Sequence, residues 1–287
     1  MKTMIRRHCL VLLLGTTLST GLWVPALAGH DLFLKPASGY LRPDTPVDVQ
    51  LVNGTFANSE NTVTRDRFLD CRISGPDGQV AHPSTDQWRD EDTTSILNFR
   101  TGPPGNYAVG VSTRPRMIEL SADDFNAYLK HDGVLDTLQA REDRGQSGLD
   151  ARERYAKHVK TIVQVGEQTS PAWQQRFGYP VEFVPLQNPY SLSAGDTIEV
   201  VFLEDGRPVA NQRVYASHEG FHGHDEQGNH IEAFQGRTDK DGKVRIPLGE
   251  PGRWYVRTIL MKESADEGVD YESKWATLTF EIRPDRP

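Results

Sequence analysis

Asp239-Lys240-Asp241-Gly242-Lys243-Val244, followed by Pro251-Gly252-Arg253-Trp254-Tyr255-Val256, is the stretch that decides the fold. An Asp-Gly turn leads into one strand, and a Pro-Gly turn feeds a second strand that opens on aromatic residues. The same order stands earlier, where Gly75-Pro76-Asp77-Gly78-Gln79-Val80 precedes Pro104-Gly105-Asn106-Tyr107-Ala108-Val109. Period-two patterns surround both copies. Val47, Val49 and Leu51 fall on one side of a strand, as do Tyr107, Val109 and Val111, so both are expected to be half-buried. Further strands are expected at Thr197–Leu203, Val244–Leu248 and Trp254–Ile259, and Ala276–Ile282 alternates strictly enough to predict one wet face and one dry face. These readings give a mainly β chain of two β-sandwich domains, 29–116 and 171–287.

Between the two domains, over 117–170, the period changes to that of a helix. Ser121 can cap a helix with Asp124 three residues on, Phe125, Tyr128 and Leu129 form its apolar stripe, and Gly133 interrupts it. Tyr155, Val159, Ile162 and Val163 predict another helix that stops near Gly166.

The first 28 residues read as a signal peptide. Lys2, Arg6 and Arg7 precede an apolar stretch that includes Leu10–Leu14, and Ala26-Leu27-Ala28 supplies the small residues of a cleavage site. Cleavage after Ala28 or Gly29 would leave Gly29 or His30 as the new terminus, and a periplasmic protein with no integral membrane segment is expected. Losing residues 1–28 removes three basic residues and no acidic ones, which moves the net charge from -8 to -11. So acidic a surface argues against nucleic acid as a partner and favours cations. Cys9 leaves with the signal, so Cys71 has no internal disulfide partner.

Four of the eight remaining histidines, His218, His222, His224 and His230, gather in one glycine-containing segment, with Glu219, Asp225 and Glu226 among them. Imidazole suits Ni(II), Co(II), Cu(II) and Zn(II), and glycines allow a loop to fold around an ion. A solvated polar loop that binds nothing has the same composition. His218-Glu219-Gly220-Phe221-His222 also fits the HExxH pattern of zinc peptidases, which requires a helix, whereas the flanking Val209–Tyr215 reads as a strand. His30 is the other candidate ligand: once cleavage frees the amine ahead of it, amine, amide and imidazole can wrap a square-planar Cu(II) or Ni(II), a geometry that Zn(II) does not prefer. His82, in a turn before Pro83, His131, at a helix end, and His158 are expected to be structural or solvent-facing.

Gly206-Arg207-Pro208-Val209-Ala210 through the Asp239–Val244 turn resembles transthyretin-like modules, which implies immunoglobulin-like or transthyretin-like sandwiches. The run Gly178–Pro185, Asn188-Pro189-Tyr190, Gly195-Asp196, Trp275–Phe280 and His30-Asp31-Leu32-Phe33-Leu34 resembles the domain of unknown function 4198 family. The resemblance implies a periplasmic accessory protein for nickel or cobalt uptake, a metal ligand at the His near the mature terminus, and a membrane metal transporter as partner. In place of a His expected after the Trp254 strand, this chain has Ile259-Leu260-Met261. Two other functions remain open at this point: a β-sandwich module that binds a surface protein or glycan, and a zinc hydrolase.

Overall fold

A computed structural model describes residues 30–224 and 230–284; the signal reading of residues 1–28 lies outside them. In chain order the main elements are β1 (Asp31–Pro36), β2 (Pro46–Gly54), β3 (Phe68–Ser74), β4 (Trp88–Glu91), β5 (Thr94–Arg100), β6 (Gly105–Thr113) and β7 (Arg116–Leu120). Next come α1 (Ala122–His131), α2 (Leu135–Asp143), β8 (Ala151–Val165), β9 (Val181–Pro185), β10 (Thr197–Glu204) and β11 (Arg213–His218). The last are β12 (Phe234–Arg237), β13 (Lys243–Pro247), β14 (Gly252–Glu263) and β15 (Tyr271–Ile282). The chain is mainly β, as its alternating patterns require.

One long sheet runs through the molecule in the order β12-β11-β14-β15-β8-β6-β3, and two smaller sheets cover it: β1-β2-β5-β4, and β9-β10-β13. The strand that joins the halves is β8. Along one edge it pairs in parallel with β15, from Glu153↔Tyr271 to Thr161↔Thr279. Along the other it pairs antiparallel with β7 and then with β6. Val159, Val163 and Val165 of β8 enter the core under the β1-β2-β5-β4 sheet. Ile162 enters the core under β9-β10-β13. Because neighbouring residues of a strand point to opposite faces, the two outer sheets cover opposite faces of the central one, forming two sandwich packings that share a layer.

β8 corrects the sequence reading, which has a helix from Tyr155 to near Gly166. Tyr155, Val159 and Ile162 do match helical spacing, but a strand covered on both faces has no alternation to show. The β-branched run Val159, Thr161, Ile162, Val163 and Val165 was the better signal. The same double covering changes two other strands. β6 is buried along its whole length and not on one face only. Its Gly110 lies so close beneath the Phe177 and Tyr179 rings that a Cβ there would meet ring carbons at 2.6 Å. In β15 the face expected to be wet is dry. Its Thr277 and Thr279 hydroxyls donate to the carbonyls of Leu32 (2.8 Å) and Leu34 (2.6 Å) on β1.

α1 forms as its residues predict. The Asp124 amide donates to the Ser121 hydroxyl at 3.2 Å, Phe125, Tyr128 and Leu129 are buried, and Gly133 follows at a φ of 78°. At the Asp239 turn, the Asp241 and Lys243 amides donate to Asp239 Oδ1 at 2.8 and 2.9 Å, and Gly242 takes a φ of 73°. Among the described residues no helix is long and apolar enough to cross a membrane.

Candidate metal site: a histidine hairpin clamped to the first strand

The histidine segment begins where β11 ends. His218 is the last residue of β11, paired with Trp254 of β14. Its Nδ1 lies 3.1 Å from the Glu219 carbonyl, and its ring stands 4.9 Å from the Trp254 ring and 5.6 Å from Phe221. The chain then turns: the Phe221 amide donates to the His218 carbonyl at 3.1 Å, and Gly220 has a φ of 83°. His222 is exposed in this turn. Gly223–His224 next pairs antiparallel with His230–Ile231, which sets His224 directly opposite His230. Asp225 and Glu226 lie outside the described residues.

No helix forms over His218–His222, so the HExxH reading fails on its first requirement. Glu219 is also committed elsewhere. Its carboxylate meets Lys35 Nζ at 2.9 Å and accepts from Arg253 Nε and Nη2 at 2.8 and 2.5 Å. Partial burial alone would raise its pKa, but these two cations hold it below the usual range. A carboxylate so held is a poor general base for a metal-bound water.

β1 presents the other side of the site. Leu32 and Leu34 point into the core, whereas Asp31, Phe33 and Lys35 face β14 and the flanks of the hairpin. Asp31 Oδ2 lies 3.5 Å from Arg257 Nε, the Phe33 ring 5.1 Å from the Tyr255 ring, and Lys35 pairs with Glu219. Just past His230, Glu232 accepts from Arg257 Nε at 2.9 Å and from the Tyr255 hydroxyl. His30, at the head of β1, places Nε2 2.8 Å from Glu60 Oε2, and its carbonyl accepts from Lys157 Nζ.

Behind this surface lies a buried ionic cluster. Arg257 Nη1 donates to the Asp132 carbonyl at the end of α1 at 3.1 Å, and Asp132 Oδ1 lies 2.9 Å from His131 Nδ1. Asp31 Oδ1 and Asp132 Oδ2 are buried with no hydrogen-bond partner. Burial raises the Asp31 pKa to about 6, against the opposing pull of Arg257, with Asp132 and Glu232 adding to the rise. Burial pushes Lys157 down to about 8.

The structure thus brings His224 and His230 to facing positions and links His30 and the hairpin to one support. It places His82 beside Asp70 (3.3 Å) and buries His158 in β8 against Ser112 (2.9 Å), both away from the hairpin. Among the described residues no three His, Cys, Asp or Glu side chains gather closely enough to hold a metal ion. The donor chemistry nevertheless fits a late first-row ion, since four imidazoles stand within one short segment. The sequence reading missed Arg257, Glu232, Asp132 and Lys157. The one signal for Arg257 was a charged residue within Trp254-Tyr255-Val256-Arg257-Thr258-Ile259, an otherwise apolar strand.

No curated protein matches the chain. Among solved structures it is similar to the D0-D1 domain of intimin (12% identity, 88% of this chain and 98% of that one, TM-score 0.22). It is also similar to a DUF4785 family protein from Legionella pneumophila (10% identity, 77% and 49% covered, TM-score 0.23) and to the Escherichia coli adhesin FdeC (12% identity, 89% and 64% covered, TM-score 0.20). At such identities and TM-scores the likeness carries nothing about function. The family comparison is decisive where these are not, because the model described as "Domain of unknown function (DUF4198)" matches residues 27–262, and the chain belongs to that family.

Proposed function

We propose that this protein is an exported metal-binding accessory that handles nickel, cobalt or copper in the periplasm and passes it to or from a membrane transporter. The observation that carries the reading is the pairing of His224 with His230 across a two-stranded ribbon. Residues directly opposite each other on antiparallel strands have Cβ atoms about 5 Å apart. From such positions two imidazoles can reach one ion. His218 and His222 supply further nitrogen donors in the same segment, and the acidic chain concentrates cations near it. Replacing His224 and His230 together by alanine is expected to weaken Ni(II) or Cu(II) binding at least about tenfold, or ~1.4 kcal/mol. Thermal stability should be unchanged, because the ribbon pairs only with itself and joins none of the three large sheets. Calorimetric titration and a melting curve measure the two quantities, and unaltered affinity would leave only a solvated loop.

Export is the second half of the proposal. The first described strand starts at Asp31, directly after the proposed cleavage sites, so the mature chain retains every described strand and helix. The intact mass of protein recovered from the periplasm is expected to correspond to a chain starting at Gly29 or His30. A mass that includes residues 1–28 would overturn it.

A further inference from the structure

Among the described residues three arginines are buried: Arg67, Arg141 and Arg257. Two of them are held by acceptors. Arg141 donates to the Asn126 side chain, the Tyr271 hydroxyl and the carbonyls of Gln146 and Leu149, and Arg257 to Glu232 and the Asp132 carbonyl. Arg67 is the exception. It is 7% exposed, and its Nη1 is sealed from solvent with no acceptor among the described residues. Nearby, Arg65 pairs with Asp90 at 3.0 Å and Arg116 with Asp66 at 3.4 Å, but no described carboxylate pairs with Arg67. A guanidinium cannot shed its proton to escape burial, so its unmade hydrogen bonds count against the fold.

The backbone fixes what surrounds this side chain. Arg67 ends a single turn, Arg65–Arg67, immediately before β3. Its carbonyl accepts from the Arg114 amide at 2.8 Å, which ties the turn to the link between β6 and β7. β7 then sets Arg116 opposite Tyr155 of β8. Arg67 Cζ stands 5.2 Å from the centre of the Tyr155 ring. That contact uses the flat face of the guanidinium, whereas the N–H groups lie in its plane and stay available at the edge.

The charge at this place is positive. The titratable groups that act on Arg67 are Tyr155, Arg116 and Asp66. Asp66 is the one acid among them, and its side chain is 73% exposed and turned to Arg116. Arg114 adds a further exposed cation. Lys157 lies 5.9 Å from the same Tyr155 ring, but it has Asp31, Asp132 and Glu153 as its own counterions. In a chain of net charge -8, three arginines thus gather around one acid. We propose that Arg67 anchors an oxyanion site, in which a carboxylate or phosphate group of a small molecule takes a pair of N–H bonds from the guanidinium. Tyr155 supports the plane of the fork, and Arg116, with its side chain 51% exposed, supplies a second positive charge from the rim. The site uses none of the histidines and does not depend on the metal-binding reading.

The test titrates the mature full-length chain calorimetrically with sodium phosphate, sodium sulfate and sodium acetate. One ionic strength is held with chloride, so that screening is the same in every run. One anion per chain is expected. Tighter binding of phosphate and sulfate would identify a tetrahedral group and tighter binding of acetate a carboxylate, and either result supports the site. Arg67→Met should raise Kd at least about tenfold, and Arg116→Gln about threefold. No binding by the wild type, or the same Kd in wild type and Arg67→Met, which would mean an adventitious ion only, would overturn the proposal.

Melting curves separate ligand binding from a structural role. In buffer free of oxyanions Arg67→Met should melt no lower than the wild type, because it removes a buried charge that has no partner. Adding the preferred anion should raise the wild-type midpoint and leave that of the variant unmoved. A variant that folds but melts well below the wild type without anion would show that the guanidinium is already satisfied inside the protein, and the proposal would fall. Should Arg67→Met not fold, Arg67→Lys decides, since it keeps the charge and loses the fork. It is expected to weaken binding of every anion, and an unchanged Kd for all three would overturn the site.

Discussion

Replacing Glu182 by alanine is expected to destabilise the fold by about 3–5 kcal/mol. Glu182 and Lys160 form an ion pair of 2.6 Å with side chains 4% and 2% exposed. Both members of the pair are bonded to the backbone as well as to each other. The Lys160 ammonium donates to Glu182 and to the carbonyls of Gln175 (2.9 Å) and Phe183 (3.1 Å). The Glu182 carboxylate accepts in turn from the Phe177 amide at 3.1 Å and the Gly178 amide at 2.9 Å. Burial alone depresses the Lys160 pKa, and Glu182 is what opposes that fall. Removing the carboxylate leaves a buried cation facing two carbonyls, and two backbone amides without an acceptor. The pair Lys160→Met with Glu182→Leu should recover only part of the loss. It removes both charges but still strands the amides of Phe177 and Gly178, at about 1–3 kcal/mol each. Urea unfolding measures all of these variants, with an unchanged m-value as the check that only stability has moved. A loss under about 1 kcal/mol for Glu182→Ala would mean that water reaches the pair.

That pair also shows where the sequence was legible and where it was not. Strands with one face turned to a core announce themselves, and Val47, Val49 and Leu51 lie in the core as their alternation predicts. The cap and apolar stripe of α1 were likewise local facts, readable because Ser121 and Asp124 are three residues apart. β8 was misread because its burial comes from two different sheets, one on each face, and neither leaves a local period. Lys157, His158 and Lys160 in its middle look like solvent-facing residues until tertiary partners are known. Glu153 lies 118 residues before its pairing partner Tyr271, and Lys160 22 residues before Glu182. The site divides in the same way. The histidines of the 218–230 segment were visible as a composition, but not that His224 stands opposite His230. The clamp joins Asp31 to Arg257 and Lys35 to Glu219, contacts that no window of sequence contains.

Glu153 gives a pH dependence whose sign can be worked out. It is 2% exposed at the end of β8 that faces α1, where Oε1 accepts from the Tyr128 hydroxyl at 3.1 Å and from the Ser273 hydroxyl. Burial raises its pKa from 4.5 to about 7, the two hydroxyls pulling it down and Asp132 pushing it further up. The folded protein therefore holds the proton more tightly than the unfolded chain. The stability this contributes is fully present below pH 4.5 and is lost as the pH rises through about 7, a change of ~3 kcal/mol at 1.36 kcal/mol per unit. Asp31 shares that sign, with its loss complete near pH 6, whereas His158, pushed down to about 4 by burial, contributes stability that is lost as the pH falls from 6.5 towards 4. Both act in wild type and variant alike, so a difference measurement removes them and leaves Glu153 together with Lys157, whose charge is coupled to it. Glu153→Gln keeps an oxygen for Tyr128 and Ser273 but has no proton to lose. Near pH 5 the variant and the wild type should be about equally stable. At pH 8 the variant should be the more stable by ~2–3 kcal/mol, because only the wild type then carries a buried carboxylate. Urea midpoints at the two pH values decide the matter: a stability difference that stays constant from pH 5 to 8 would show that Glu153 titrates where an exposed glutamate does.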